Sequence, residues 1–146
     1  MQRWVSQPLA VTVPRDRLSR LDLAFEGLRR DLGSLTVFVF LNDADVPADA
    51  GRAHPSFAAA FSLFAANGCW GGEGHCDFTR DAVSVFDRRP QHHLRPITVN
   101  LDVTDAVRRL DDPSSLTVTL HAARLAEPQA DAGVITFDAL TVLAYQ

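Results

Sequence analysis

Apolar residues fall in short alternating or continuous runs broken by turn residues, a pattern that predicts strands rather than helices. Val5 to Val13 reads as a strand interrupted near Pro8. Proline donates no ladder hydrogen bond, so an edge position is expected there. Leu18 to Leu28 sets Leu21, Leu23 and Phe25 at every second position, as in a half-buried strand. Leu35 to Leu41 is β-branched or large and apolar throughout, and predicts a central strand covered on both faces. Asn42 to Pro55, rich in Asp, Ala, Gly and Pro, is a loop. Ser56 to Ala65 carries Phe57, Phe61 and Phe64, a spacing that also admits a helix; alanine alternating beside phenylalanine favours a strand in a narrow core.

Asn67 to Asp81 contains four glycines and both cysteines and reads as a loop. A short strand is expected over Ala82 to Phe86, then a polar stretch from Arg88 to Pro96. Ile97, Val99, Leu101 and Val103 alternate with Thr98, Asn100 and Asp102, a one-sided strand. Thr104 is placed to cap a short helix with Asp105 in its first turn, ending at Asp111-Asp112-Pro113. Leu116 to Leu125 and Val134 to Tyr145 are two further strands, and the Pro, Gly and Asp residues between them predict a terminal hairpin. The expected architecture is one domain over 1–146, an all-β antiparallel sandwich of about seven or eight strands with one short helix.

The length of 146 residues suits one domain able to build its own core. Net charge is −4, which argues against nucleic acid as a partner, since such modules carry a basic stripe. No apolar run reaches the roughly 20 residues that cross a bilayer, so no membrane association is expected. Met1 to Ala10 lacks the basic start and apolar centre of a secretory signal, and a cytoplasmic location is the expectation. All the basic residues are arginine, which excludes lysine Schiff-base chemistry.

Candidate chemistry gathers in one glycine-rich loop. Cys69, His75 and Cys76 lie there, followed by adjacent His92 and His93 between prolines. Thiolate and imidazole are the donors preferred by Cu(I) and Zn(II), so these five residues are the candidate metal ligands, with copper the candidate ion. The six-residue gap between the cysteines is not a zinc-finger spacing, and a disulfide-closed loop or two reduced thiols are the competing readings. His54 and His121 are read as structural, the latter half-buried in its strand. Asp43 and Asp45 are read as turn formers rather than a catalytic carboxylate pair. No phosphate loop, dinucleotide fingerprint or nucleophile elbow is present.

The order of segments resembles the C-terminal β-sandwich domain of type 3 copper proteins, the tyrosinases, catechol oxidases and molluscan hemocyanins. The resemblance is carried by Leu21 to Leu28, by Leu35 to Asn42 with its Phe-Leu-Asn ending, and by His54-Pro55-Ser56-Phe57-Ala58-Ala59-Ala60-Phe61. Ala59 stands where the family has glycine. Leu101 to Asp105 before a short helix is similar to the family's later strand and helix.

A type 3 copper centre uses six histidines from a helical bundle with paired His-x-x-x-His spacing. This chain has five histidines and no such spacing, so oxidase activity does not carry over, and the chain is not expected to be an enzyme. The resemblance implies an accessory role: packing against a tyrosinase-like catalytic domain, shielding its copper site, and in some members loading copper. The alternatives are a plain β-sandwich interaction module, acting through partner binding or self-association, and a small mononuclear metalloprotein.

Overall fold

A computed structural model describes residues 2–29, 34–64, 96–124 and 135–146. The architecture is all-β, with antiparallel sheets and one short α-helix among the described residues. The strands are β1 (Gln2–Val5), β2 (Leu9–Ala10), β3 (Arg20–Leu28), β4 (Leu35–Leu41), β5 (Phe57–Leu63), β6 (Ile97–Asp102), β7 (Ser115–Leu116), β8 (Val118–Arg124) and β9 (Ala139–Tyr145), with α1 at Thr104–Arg108. A four-stranded sheet in the order β1-β8-β4-β5 faces a three-stranded sheet in the order β6-β3-β9. The short β2–β7 pair forms a third sheet. No helix among the described residues is long and apolar enough to cross a membrane.

Alternation decides which side chains enter the core. Val37, Val39 and Leu41 of β4 and Val118, Leu120 and Ala122 of β8 point inward from one sheet. They meet Leu21, Leu23 and Phe25 of β3 from the other. The Phe25 ring lies 5.6 Å from Phe61 and 5.4 Å edge-on to Phe137, and Phe137 lies 5.0 Å edge-on to Trp4. This aromatic chain links β5, β3 and β1 across the sandwich. Phe25 is fully buried, which contributes about 1.5–3 kcal/mol, and the other three rings are half-buried around it.

β3 is more deeply covered than its alternation implies. Asp22 and Ala24, which point away from the core, are buried as well as Leu21, Leu23 and Phe25. The strand sits between β6 and β9, and Asp22 accepts a hydrogen bond from Arg20 Nε at 2.8 Å. β3 ends in a bulge at Gly27, where φ is +65° and the pairing register with β6 shifts. A Cβ there would come within 1.9 Å of the Asp138 carboxylate, so both backbone conformation and space favour glycine.

The central place of β4 and the strand over Phe57–Leu63 agree with the pattern. The first strand starts at Gln2, stops at Val5 before Pro8, and lies at a sheet edge. The strand expected over Leu116 to Leu125 is split at Thr117, because Asn42 clamps that residue. Asn42 adopts a left-handed φ of 53°, its Oδ1 accepts from Thr117 N at 2.7 Å, and its N–H donates to Thr117 O at 2.8 Å.

The terminal hairpin is overturned. Both edges of β8 are taken by β1 and β4, and β9 pairs with β3 in the opposite sheet. Turn-forming residues specify that a chain reverses, not which strand receives it. The helix start is also corrected. Val103 holds the N-cap position without a side-chain cap, Thr104 is already helical, and the Thr104 N–H donates to Asp102 Oδ1 at 2.9 Å. The helix ends at Arg108, before the Asp111-Asp112-Pro113 stretch. The expectations for Asn67 to Asp81, Ala82 to Phe86 and most of Arg88 to Pro96 lie outside the described residues.

Candidate functional site

Two polar constellations stand out, both near the start of β5. The first lies on the outer face of the four-stranded sheet, where the 42–56 loop folds back. Asp43 begins this loop as a turn former: its Oδ1 accepts from the Asp45 N–H at 3.2 Å. Its backbone carbonyl accepts from Thr119 Oγ1 at 2.7 Å, which ties the loop to β8. Ser56 Oγ donates to Asp43 Oδ2 at 3.0 Å and lies 2.8 Å from His54 Nδ1. His54 stacks edge-on to Phe40, with centroids 5.7 Å apart.

Serine, histidine and aspartate meet here without the relay that makes a serine nucleophilic. In a catalytic triad the carboxylate holds the imidazole, and the imidazole takes the serine proton. Here the carboxylate engages the serine itself, and His54 Nδ1 lies 3.9 Å from Asp43 Oδ2. The cluster pins the loop to the sheet. The structural reading of His54 and the turn reading of Asp43 and Asp45 both agree with this geometry.

His121 lies beneath the same face. It is 1% exposed, more deeply buried than its half-buried expectation. Its ring is 5.2 Å from that of Phe40, and neither ring nitrogen has a hydrogen-bond partner among the described residues. Burial, with Arg3 directly opposite on β1 and His54 beyond Phe40, pushes its pKa below the ordinary histidine value.

The second constellation surrounds α1, in a polar cleft of about 360 Å³ lined by Arg20, Asp102, Asp105, Arg108 and Arg109. Thr104 is its hinge. The Thr104 hydroxyl donates to Asp102 Oδ1 at 2.6 Å and accepts from the Leu21 N–H at 2.9 Å. The hydrogen bonds from Thr104 hold the Asp102 carboxyl below the usual carboxylate range. The Asp22 hydrogen bond and charge raise the pKa of Arg20.

The guanidinium groups of this cleft are spent on the fold. Arg108 donates to the carbonyls of Leu18 and Ser19, Arg15 donates to the Arg108 carbonyl, and Arg109 Nη2 donates to the Phe57 carbonyl at 3.0 Å. These bonds satisfy backbone acceptors ahead of β3, at the end of α1 and at the start of β5. Sequence reasoning missed this role of Arg108 and Arg109. The only local signal was the Asp102-Val103-Thr104 spacing, which reads as a cap but says nothing of strands remote in sequence.

The five candidate metal ligands Cys69, His75, Cys76, His92 and His93 lie outside the described residues. Among the described residues, no three His, Cys, Asp or Glu side chains converge to hold an ion.

The fold and these sites define the chain as a β-sandwich whose described polar clusters hold loops and strand ends in place. No protein-family model matches the chain, and no curated protein matches it. Among solved structures it is similar to latent aurone synthase, a polyphenol oxidase. The recombinantly expressed form superposes with a TM-score of 0.57 at 13% identity, over 99% of this chain and 24% of that one. The form from the natural source gives 0.57 at 14% identity, over 98% and 24%. The form co-crystallised with hexatungstotellurate(VI) gives 0.57 at 12%, again over 98% and 24%. The chain thus spans about a quarter of the length of the polyphenol oxidase chains it resembles. At this identity the likeness shows a shared fold and a distant structural relationship.

Proposed function

We propose that the chain is a non-catalytic accessory sandwich of a tyrosinase-like copper oxidase, packing against the catalytic domain and shielding its copper site. The observation that supports this reading best is the superposition of almost the whole chain on one quarter of latent aurone synthase. The segment order of the sequence points to the same class of module. Five histidines without helical pairing leave the chain itself short of a dicopper ligand set, so the catalytic metal belongs to the partner.

A copper-loading role is the finer form of this reading. Cys69, Cys76 and the imidazoles of His75, His92 and His93 would be the donors, a set chemically suited to holding Cu(I) in exchangeable form. Glycines around them leave the backbone free to wrap an ion.

The test has two arms. The first asks whether the gene, or a neighbouring reading frame, encodes a helical six-histidine copper domain, and whether that purified domain binds this chain. The expected result is a complex with lowered turnover of diphenols. A chain that neither binds such a domain nor changes its turnover overturns the accessory role and leaves a plain interaction module. The second is titration with Cu(I) under reducing conditions, before and after Cys69→Ser and Cys76→Ser. Copper uptake that both substitutions abolish is expected; no uptake by the unsubstituted chain overturns the loading role.

A further inference from the structure

We infer that β9 is a self-complementary edge through which two copies of this chain pair, joining their three-stranded sheets into one continuous six-stranded sheet. This inference is independent of the accessory reading above.

The backbone of β3 fixes the direction of the unpaired groups. Leu21 turns both its N–H and its C=O toward β6 and α1: the N–H donates to Thr104 Oγ1, and the C=O accepts from Val103 N at 2.9 Å. Alternation then aims the groups of Asp22 and Ala24 at β9, where they lie in register with Leu143 and Thr141. The N–H and C=O groups of Leu140, Val142 and Ala144 therefore point away from β3. No strand pairs with that side of β9 among the described residues; β2 packs near β9 but hydrogen-bonds to β7.

An open edge is normally blocked by charge, proline or a bulge. The other edges carry such devices. β1 has Arg3, paired with Asp45 at 3.8 Å; β6 ends in Asp102 beneath α1; and the Phe57 carbonyl of β5 is capped by Arg109. β9 reads Ala-Leu-Thr-Val-Leu-Ala-Tyr and pairs with β3 in an unbroken register, with no charge, proline or bulge. Its inward side chains Leu140, Val142 and Ala144 are only half-buried, whereas Leu21, Leu23 and Phe25 beside them on β3 are fully buried. A further strand would complete their burial.

The sequence of the edge selects its occupant. In an antiparallel pair centred on Val142, Leu140 meets the Ala144 of the second copy, Thr141 meets Leu143, and Ala139 meets Tyr145. At each of these pairs a larger side chain faces a smaller one, Val142 meets its own copy at the centre, and Tyr145, 46% exposed, gains a neighbour. The outward groups of Leu140, Val142 and Ala144 would form about six interchain hydrogen bonds.

Sedimentation of the full chain over a dilution series, with backbone hydrogen exchange, tests this. We expect a species of twice the chain mass that dissociates on dilution. In it, the amides of Leu140, Val142 and Ala144 should be protected as well as those of Thr141 and Leu143. Val142→Pro and Ala144→Pro each remove an outward N–H and put the apolar proline ring in place of an inward side chain, and should give a monomer with an unchanged circular dichroism spectrum. A monomer at every concentration overturns the inference. So does a dimer in which the Leu140, Val142 and Ala144 amides exchange freely, since that dimer uses another surface. The exchange pattern of the unsubstituted chain decides the matter even if a proline variant fails to fold.

Discussion

His121→Phe removes a buried polar ring that the fold leaves without partners. The neutral imidazole has one donor and one acceptor, both buried and unpaired among the described residues. Leaving such groups unsatisfied costs about 1–3 kcal/mol, and the larger phenyl ring costs about 1 kcal/mol in crowding against Phe40. The variant should therefore be more stable at neutral pH by about 1 kcal/mol.

The sharper signature is in pH. Burial, Arg3 and His54 lower the His121 pKa in the folded state below its unfolded value of about 6.5. Above pH of about 6.5 the ring is neutral in both states and contributes no slope. As the pH falls below that value the unfolded chain takes up a proton that the folded chain refuses. Stability then drops by up to about 1.4 kcal/mol per pH unit until the folded-state pKa is reached. Urea denaturation of both proteins at intervals from about pH 5 to 7.5 reads the residue together with its coupling to His54. The gap between variant and parent should widen on acidification. A gap that stays constant with pH, or a variant less stable at neutral pH, would refute the account of an unpartnered buried ring.

Three further outcomes follow from the packing. Thr104→Val should destabilise by about 1–3 kcal/mol, because the Leu21 N–H loses its acceptor; Thr104→Ser should retain most of the stability, both read from urea midpoints. Gly27→Ala forces an alanine to a φ of +65° against Asp138, and should cost about 1–3 kcal/mol. Adding Asp138→Ala should recover only part of that loss in thermal melts, since the backbone strain remains. Phe25→Ala should cost about 3–5 kcal/mol and lower the melting temperature most, as it removes the ring joining Phe61 to Phe137.

Much of this fold is written in local periodicity. Alternation in Leu21 to Phe25 and Ile97 to Val103, and the β-branched run at Leu35 to Leu41, each identify a strand from its own residues. Asp43 and Asp45 announce a turn by side-chain chemistry alone. The site was less legible for a physical reason. His121 looks like any strand histidine until Phe40 is placed against it, and Arg109 looks like a solvated charge until the Phe57 carbonyl lies beside it.

The sequence by itself determined that the chain folds in strands, where most of them run, and which side chains share a face, because those properties depend on near neighbours and a two-residue repeat. Only the tertiary structure decided partnership: Gln2 beside Ala122, Arg20 beside Tyr145, and β8 and β9 sent to opposite sheets. Pairing is a contest among distant segments for the same backbone edges. It is settled by which arrangement buries Phe25, Leu23 and Val39 together, and no stretch of local sequence contains that comparison.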